Sequence, residues 1–161
     1  MNGHEIISLT QEIINKNTPI ILRELGYSAQ PDILRLKISE TYDYATGICM
    51  AFYKDHDRSE LKEVVVILYP SNIIWLKLLD WLRLPRLCMF SRKLFEKMVI
   101  QVLAHELRHF WQYYTGEYKE YSRLSRFLPR SMSFFEADAE NWAQEYLNVY
   151  GLCPRIASLS H

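Results

Sequence analysis

His105-Glu106-Leu107-Arg108-His109 sets two imidazoles four residues apart with a carboxylate directly after the first. On a helix, residues i and i+4 project from one side a single turn apart, so both rings can reach one Zn²⁺ at about 2.0–2.1 Å. Glu106 points toward the same cleft at an angle poor for ligation. From there it can take a proton from a metal-activated water, whose pKa zinc lowers to about 7, and pass it to a leaving amine. H-E-x-x-H is the helical pattern of that chemistry. Without a metal, two imidazoles and a carboxylate among apolar neighbours are costly unless each finds a partner.

A catalytic zinc takes three protein ligands and leaves a fourth position for water. The segment FFEADAENWAQEYL offers Glu136, Asp138, Glu140 and Glu145. Its apolar residues Phe135, Ala139, Trp142, Ala143, Tyr146, Leu147 and Tyr150 define an inward helical face. Glu136 lies on that face, Glu140 about 40° away at its border, and Asp138 and Glu145 point outward. Glu136 is therefore the expected third ligand, with Glu140 as the second choice or as an outer acceptor for a ligand imidazole N–H. Small Ala139 and Ala143 would let this helix approach the histidine helix closely. A competing reading of Glu136 is a capping box with Ser133, which need not exclude metal ligation if the helix starts at Ser131.

The elements that must position these groups can be read along the chain. Helical spacing runs from about His4 to Leu25 and stops at Gly26, with Pro19 suggesting a break. Three extended runs follow: Leu34 to Ser39, Thr46 to Lys54 and Glu63 to Tyr69, the last closed by Pro70. They suggest a small sheet of three to four strands. Residues 73 to 84 fit an amphipathic helix. Ser91, a plausible N-cap, opens a long helix that ends at Gly116 and contains the histidine pair. On its wheel Lys93, Lys97, Gln101, Arg108 and Gln112 form a wet arc; His105 and His109 sit at the border of the buried arc, and Glu106 lies within it. A loop rich in charge and Tyr, Glu117 to Arg130, leads to a final helix from about Ser133 to Tyr150.

Composition limits the alternatives. The chain has 161 residues, 49% hydrophobic, with 19 basic and 19 acidic side chains. This suits one globular domain over 1–161, and zero net charge gives no electrostatic reason to expect nucleic acid. Three widely spaced cysteines, Cys49, Cys88 and Cys153, make neither a disulfide framework nor a metal cluster. With an N-terminus that lacks the features of a secretory signal, they point to the cytoplasm. The apolar stretch 73–90 carries Lys77, Asp80, Arg83 and Arg86, too many charges for a spanning helix. The aromatic share is high, 14%, and many aromatic residues fall on the two helices of the proposed metal site.

H105-E-L-R-H109 followed by E136-x-D138-A139-x-x-W142-A143 resembles the gluzincin branch of zinc metallopeptidases. The likeness is greatest to small single-domain members, the minigluzincins and the ImmA/IrrE-type peptidases. It covers mainly residues 91 to 150, plus the order helix, strands, active-site helix, glutamate helix. It implies an α+β, zincin-like fold and a Zn²⁺-dependent hydrolase cutting a peptide bond in a protein or peptide substrate. His105, His109 and Glu136 would be the ligands and Glu106 the base. The metzincin extension is absent, because Gln112 stands at its glycine and Thr115 at its third histidine. The 71–90 insertion has no counterpart in that pattern.

Two rival readings remain: a regulatory or binding protein keeping the fold without turnover, and a membrane-surface protein anchored through 73–90. Glu106 favours the enzyme, since a structural zinc site has no use for a base. For an oxyanion donor besides zinc, Tyr113, Tyr114, Tyr118, Tyr121 and His56 stay open. Arg108 reads as solvated, as do Arg123, Arg126 and Arg130 in the loop before the last helix.

Overall fold

A computed structural model of the chain describes residues 3–40, 45–55, 60–81, 91–125 and 131–150, with the side chains of 76–81, 123–125 and 131–133 outside the description. The first helix, α1 (Gly3–Glu24), runs without interruption. The break expected at Pro19 does not occur. Proline removes the hydrogen bond to the Asn15 carbonyl, but both residues are on the exposed side, where water can replace that bond. Ile13, Ile14, Asn17, Thr18, Ile21 and Leu22 carry one buried stripe past it. The helix ends where Gly26 takes φ +91° and the Tyr27 N–H donates back to the Leu22 carbonyl at 2.9 Å.

Three strands follow, β1 (Leu34–Ile38), β2 (Gly47–Tyr53) and β3 (Leu61–Leu68), in the sheet order β1-β3-β2. β1 is parallel to β3, and β2 is antiparallel to it with Cys49 opposite Val66. Leu34, Val64, Val66 and Leu68 face the core, while Arg35 and Lys37 alternate outward. The central strand is the most continuously apolar, as its position between two neighbours requires. β2 is an outer strand of the sheet.

Helix α2 (Pro70–Trp81) begins earlier than the periodicity indicated, because Pro70 sits at the first helical position, where its missing N–H costs nothing. Most of the 71–90 insertion's side chains lie outside the described residues; of those described, Ile73 is fully buried and Trp75 is exposed. No described helix is long and apolar enough to cross a membrane.

α3 (Arg92–Thr115) is the central element and packs against α1, α2, β2 and β3 as well as the two helices that follow it. Ser91 caps it by accepting the Leu94 N–H on its hydroxyl at 3.2 Å, and Gly116 ends it with φ +83°. Phe95, Val99, Leu103, Leu107 and Phe110 are fully buried along it, each worth roughly 1.5–3 kcal/mol of apolar burial. The stretch expected to be a loop after Gly116 contains a further helix, α4 (Glu117–Ser125). Glu117 and Glu120 favour its N-terminal end, and Tyr118 and Tyr121 set their rings against Phe135 of the next helix. That helix, α5 (Ser131–Val149), starts two residues before Ser133. The chain is thus α+β, with a small mixed sheet of three strands and five helices among the described residues.

Candidate metal centre

Ala139 and Ala143 are fully buried between α5 and α3, and their small side chains bring the two helices close. One turn before Ala139, Glu136 reaches the histidine pair. His109 Nε2 lies 3.0 Å from His105 Nε2 and 3.2 Å from Glu136 Oε2, and His105 Nε2 lies 3.5 Å from the same oxygen. Ligands held about 2.0–2.1 Å from a tetrahedral zinc are spaced about 3.3 Å apart. The three donor atoms form a triangle of that size. Because α5 begins at Ser131, Ser133 lies inside the helix and is not its N-cap, so the capping-box reading of Glu136 does not apply.

Hydrogen bonds at the far side of each ring set what faces this triangle. His109 Nδ1 lies 2.8 Å from Gln112 Oε1. The Gln112 amide nitrogen donates to Asp138 Oδ2 at 2.8 Å, which fixes its oxygen as the acceptor and His109 Nδ1 as the donor. His105 Nδ1 is buried without a well-formed hydrogen bond, but Glu140 Oε2 stands 3.4 Å away as its acceptor. When His105, like His109, carries its proton on Nδ1, two imidazole lone pairs and a carboxylate oxygen point at one another. Three acceptors converging on one point require a cation between them. A proton can serve: burial alone would depress the His105 imidazole, but hydrogen bonds to Glu136 and Glu140, with the charges of Glu106 and Glu136, raise it to about 9. Hydrogen bonds from His105 and His109 hold the Glu136 carboxyl well below the usual carboxylate range. A divalent cation meets the same need, and the donor set of two imidazoles and one carboxylate suits zinc.

Glu106 adjoins the triangle without belonging to it. It is 6% exposed, and burial raises its carboxyl to about 7 against the lowering pull of His105 and His109. A cleft of about 430 Å³ opens over these groups, walled by Gly47 and Cys49 of β2 and by Val102, Tyr113 and Phe135. Burial, then the nearby Glu106 charge, pushes the Cys49 thiol up, so it stays protonated. Phe135 stacks on the His109 ring at 4.4 Å and 17°, which supports the ring from its face.

Several wheel-based expectations fail here for one reason. Gln112 is fully buried, Arg108 keeps only 14% of its side chain exposed, and Asp138 turns inward to meet both. α4 and α5 cover the C-terminal part of that arc, around Arg108 and Gln112, while Lys93 stays exposed; a wheel of one helix carries no information about which neighbours cover it. Gln101, on the same arc, donates to Glu140 at 3.1 Å. Gly47 is a second residue that its sequence position did not mark: a methyl group there would lie 2.8 Å from Glu106 Cγ and Oε1 and 2.9 Å from Val102 Cγ1.

Among the candidate oxyanion donors, Tyr113 lines the cleft, whereas Tyr114 packs its ring on Tyr27 and Tyr118 packs on Tyr113 and Phe135. Burial raises the Tyr113 hydroxyl far above the ordinary range, so it remains a donor. His56, Arg126, Arg130, Cys88 and Cys153, and the side chain of Arg123, lie outside the described residues. No family model, no curated protein and no solved structure matches the chain.

Proposed function

We propose that this chain is a zincin-like zinc metallopeptidase of gluzincin type, hydrolysing a peptide bond in a protein or peptide substrate. One observation carries the reading: three acceptor atoms of His105, His109 and Glu136 converge at 3.0–3.5 Å, with the buried carboxylate of Glu106 beside them in an open cleft. A metal site built only for structure closes its coordination and has no use for such a carboxylate.

A zinc ion held by the three ligands would supply the Lewis acidity that activates water and polarises the scissile carbonyl. Glu106 accepts the proton of the attacking water and delivers it to the departing amine. Burial raises this carboxyl in the metal-free chain, which favours proton uptake as well as release. Tyr113, which lines the cleft, would donate a hydrogen bond as charge develops on the carbonyl oxygen. β2, at the margin of the sheet and along the cleft wall, offers backbone groups to an extended substrate. A cytoplasmic setting fits the cysteine usage of the chain.

Wild type and Glu106→Gln, both loaded with zinc, test this on a peptide library read by mass spectrometry. Cleavage by the wild type alone, at equal zinc content, is the expected result. Equal cleavage by both would overturn Glu106 as the base, and none by either would overturn the peptidase and leave the binding-protein reading in its place.

A further inference from the structure

His105 and His109 are supported in different ways. Glu140 offers His105 a charged carboxylate, whereas His109 donates to the neutral amide oxygen of Gln112. The carboxylate that would ordinarily stand behind a metal-binding imidazole is one step further back. Asp138 Oδ2 accepts from Gln112 Nε2 at 2.8 Å and from Arg108 Nε at 2.8 Å, so its charge is paired with the guanidinium. Arg108 is itself held by the Trp111 ring, 4.1 Å beneath its Cζ, and by Glu117 of α4 at 3.8 Å. Gln112 makes a further, longer contact with the Phe135 carbonyl at 3.4 Å.

We propose that Arg108, Asp138 and Gln112 form a clamp that presets His109 for metal binding and fixes Glu136 in register with it. Arg108 and Gln112 stand on α3, either side of His109 in sequence, and Asp138 follows Glu136 by two residues on α5. The same oxygen that aligns the amide behind His109 therefore ties down the helix carrying the third ligand. Chain direction is unambiguous. The guanidinium can only donate, the carboxylate can only accept, and so the amide must present its nitrogen to Asp138 and its oxygen to His109. That leaves Nδ1 of His109 protonated and directs the Nε2 lone pair at His105 and Glu136. Imidazole ligands are generally oriented and made more basic by such partners, at about 10–100-fold in metal affinity. Here an amide in place of a carboxylate orients the ring without adding a charge behind it.

The inference rests on the metal-binding reading, and two measurements separate their failures. In metal-free wild type, long-range ¹H–¹⁵N correlations should show His109 protonated at Nδ1 with a proton protected from exchange, and Gln112→Leu should lose that protection. An unprotonated Nδ1 in the wild type overturns the clamp whether or not the protein binds metal. Zinc affinity, read by competition with a chromophoric chelator, gives the second arm. Gln112→Leu and Arg108→Met should each weaken zinc by about 10–100-fold.

Should Gln112→Leu fail to fold, the double swap Gln112→Glu with Asp138→Asn decides. It keeps the net charge and moves the carboxylate onto His109. The new amide donates its nitrogen to the new carboxylate and accepts from Arg108 on its oxygen, atoms that replace the single Asp138 oxygen now taking both bonds, and the long contact to the Phe135 carbonyl is given up. The zinc affinity of the swap should rise about tenfold. Affinities within twofold of wild type in Arg108→Met and in the swap would overturn the clamp.

Discussion

Gly47 and Glu106 meet across the boundary between β2 and α3, the glycine lying so close that a methyl group would stand 2.8 Å from the glutamate's Oε1. The strand is thereby seated against α3 at the residue proposed as the proton carrier. Any side chain at 47 must displace either the strand or the carboxylate.

Gly47→Ala should keep the zinc and lose about 10–100-fold in peptide hydrolysis, since small misplacements of a catalytic group are costly. Zinc content and turnover measured on the same preparation check this. Turnover at the wild-type level would show that Glu106 does not need its place against β2.

The two glutamates of α5 should separate by function. Glu136→Ala removes a donor atom 3.2 Å from His109 Nε2 and should abolish stoichiometric zinc binding. Glu140→Ala removes the carboxylate behind His105 and the acceptor of Gln101, and should weaken zinc by about 10–100-fold without abolishing it. The reverse ranking in a chelator competition would transfer the ligand role to Glu140.

Ala139→Leu probes the closeness of the helices. The residue is fully buried between α3 and α5, one turn from Glu136. Overpacking there should cost about 1–3 kcal/mol in urea unfolding, and it should also weaken zinc binding by moving Glu136 away. A destabilised variant with unaltered zinc affinity would show that the site does not depend on this interhelical distance.

Alkaline pH should destabilise the fold through buried tyrosines. Burial raises Tyr27 to about 12, with help from Tyr114, and raises Tyr146 to about 12, with help from Tyr150 and Glu24. Unfolded tyrosines ionise near 10, so above that pH the unfolded chain is favoured by losing protons that the folded one retains. The full stability is present below about pH 10 and is lost as the pH rises toward 12. Thermal melting should fall across that window, and Tyr27→Phe with Tyr146→Phe should flatten the slope; an unchanged slope would contradict the assignment.

How far the sequence went depended on whether a feature is local. Ser91 and Gly116 announce the ends of α3, and the alternation in Leu34–Ile38 announces β1, because caps and periodicity are properties of neighbours in the chain. Placing Glu136 beside His105 and His109 was legible too, from the small residues that follow it, although Glu136 keeps 61% of its side chain exposed and stands at the rim of the inward face. The clamp was not. Arg108, Gln112 and Asp138 look solvated on their own helices; Gln112 is buried and the other two are partly covered where α4 and α5 pack on α3. Gly47 likewise acquires its role from Val102 and Glu106, more than fifty residues away in the chain. Pro19 shows the converse, a strong local signal overruled by the stripe of buried residues on either side of it.

Metal analysis of the purified full chain tests the convergence of His105, His109 and Glu136 most directly. About one zinc per chain in the wild type, lost together in His105→Ala and His109→Ala while both variants remain folded, is the expected result. A folded wild type that takes up no zinc when titrated with it would contradict the metal centre, and the three side chains would then be a proton-bridged cluster.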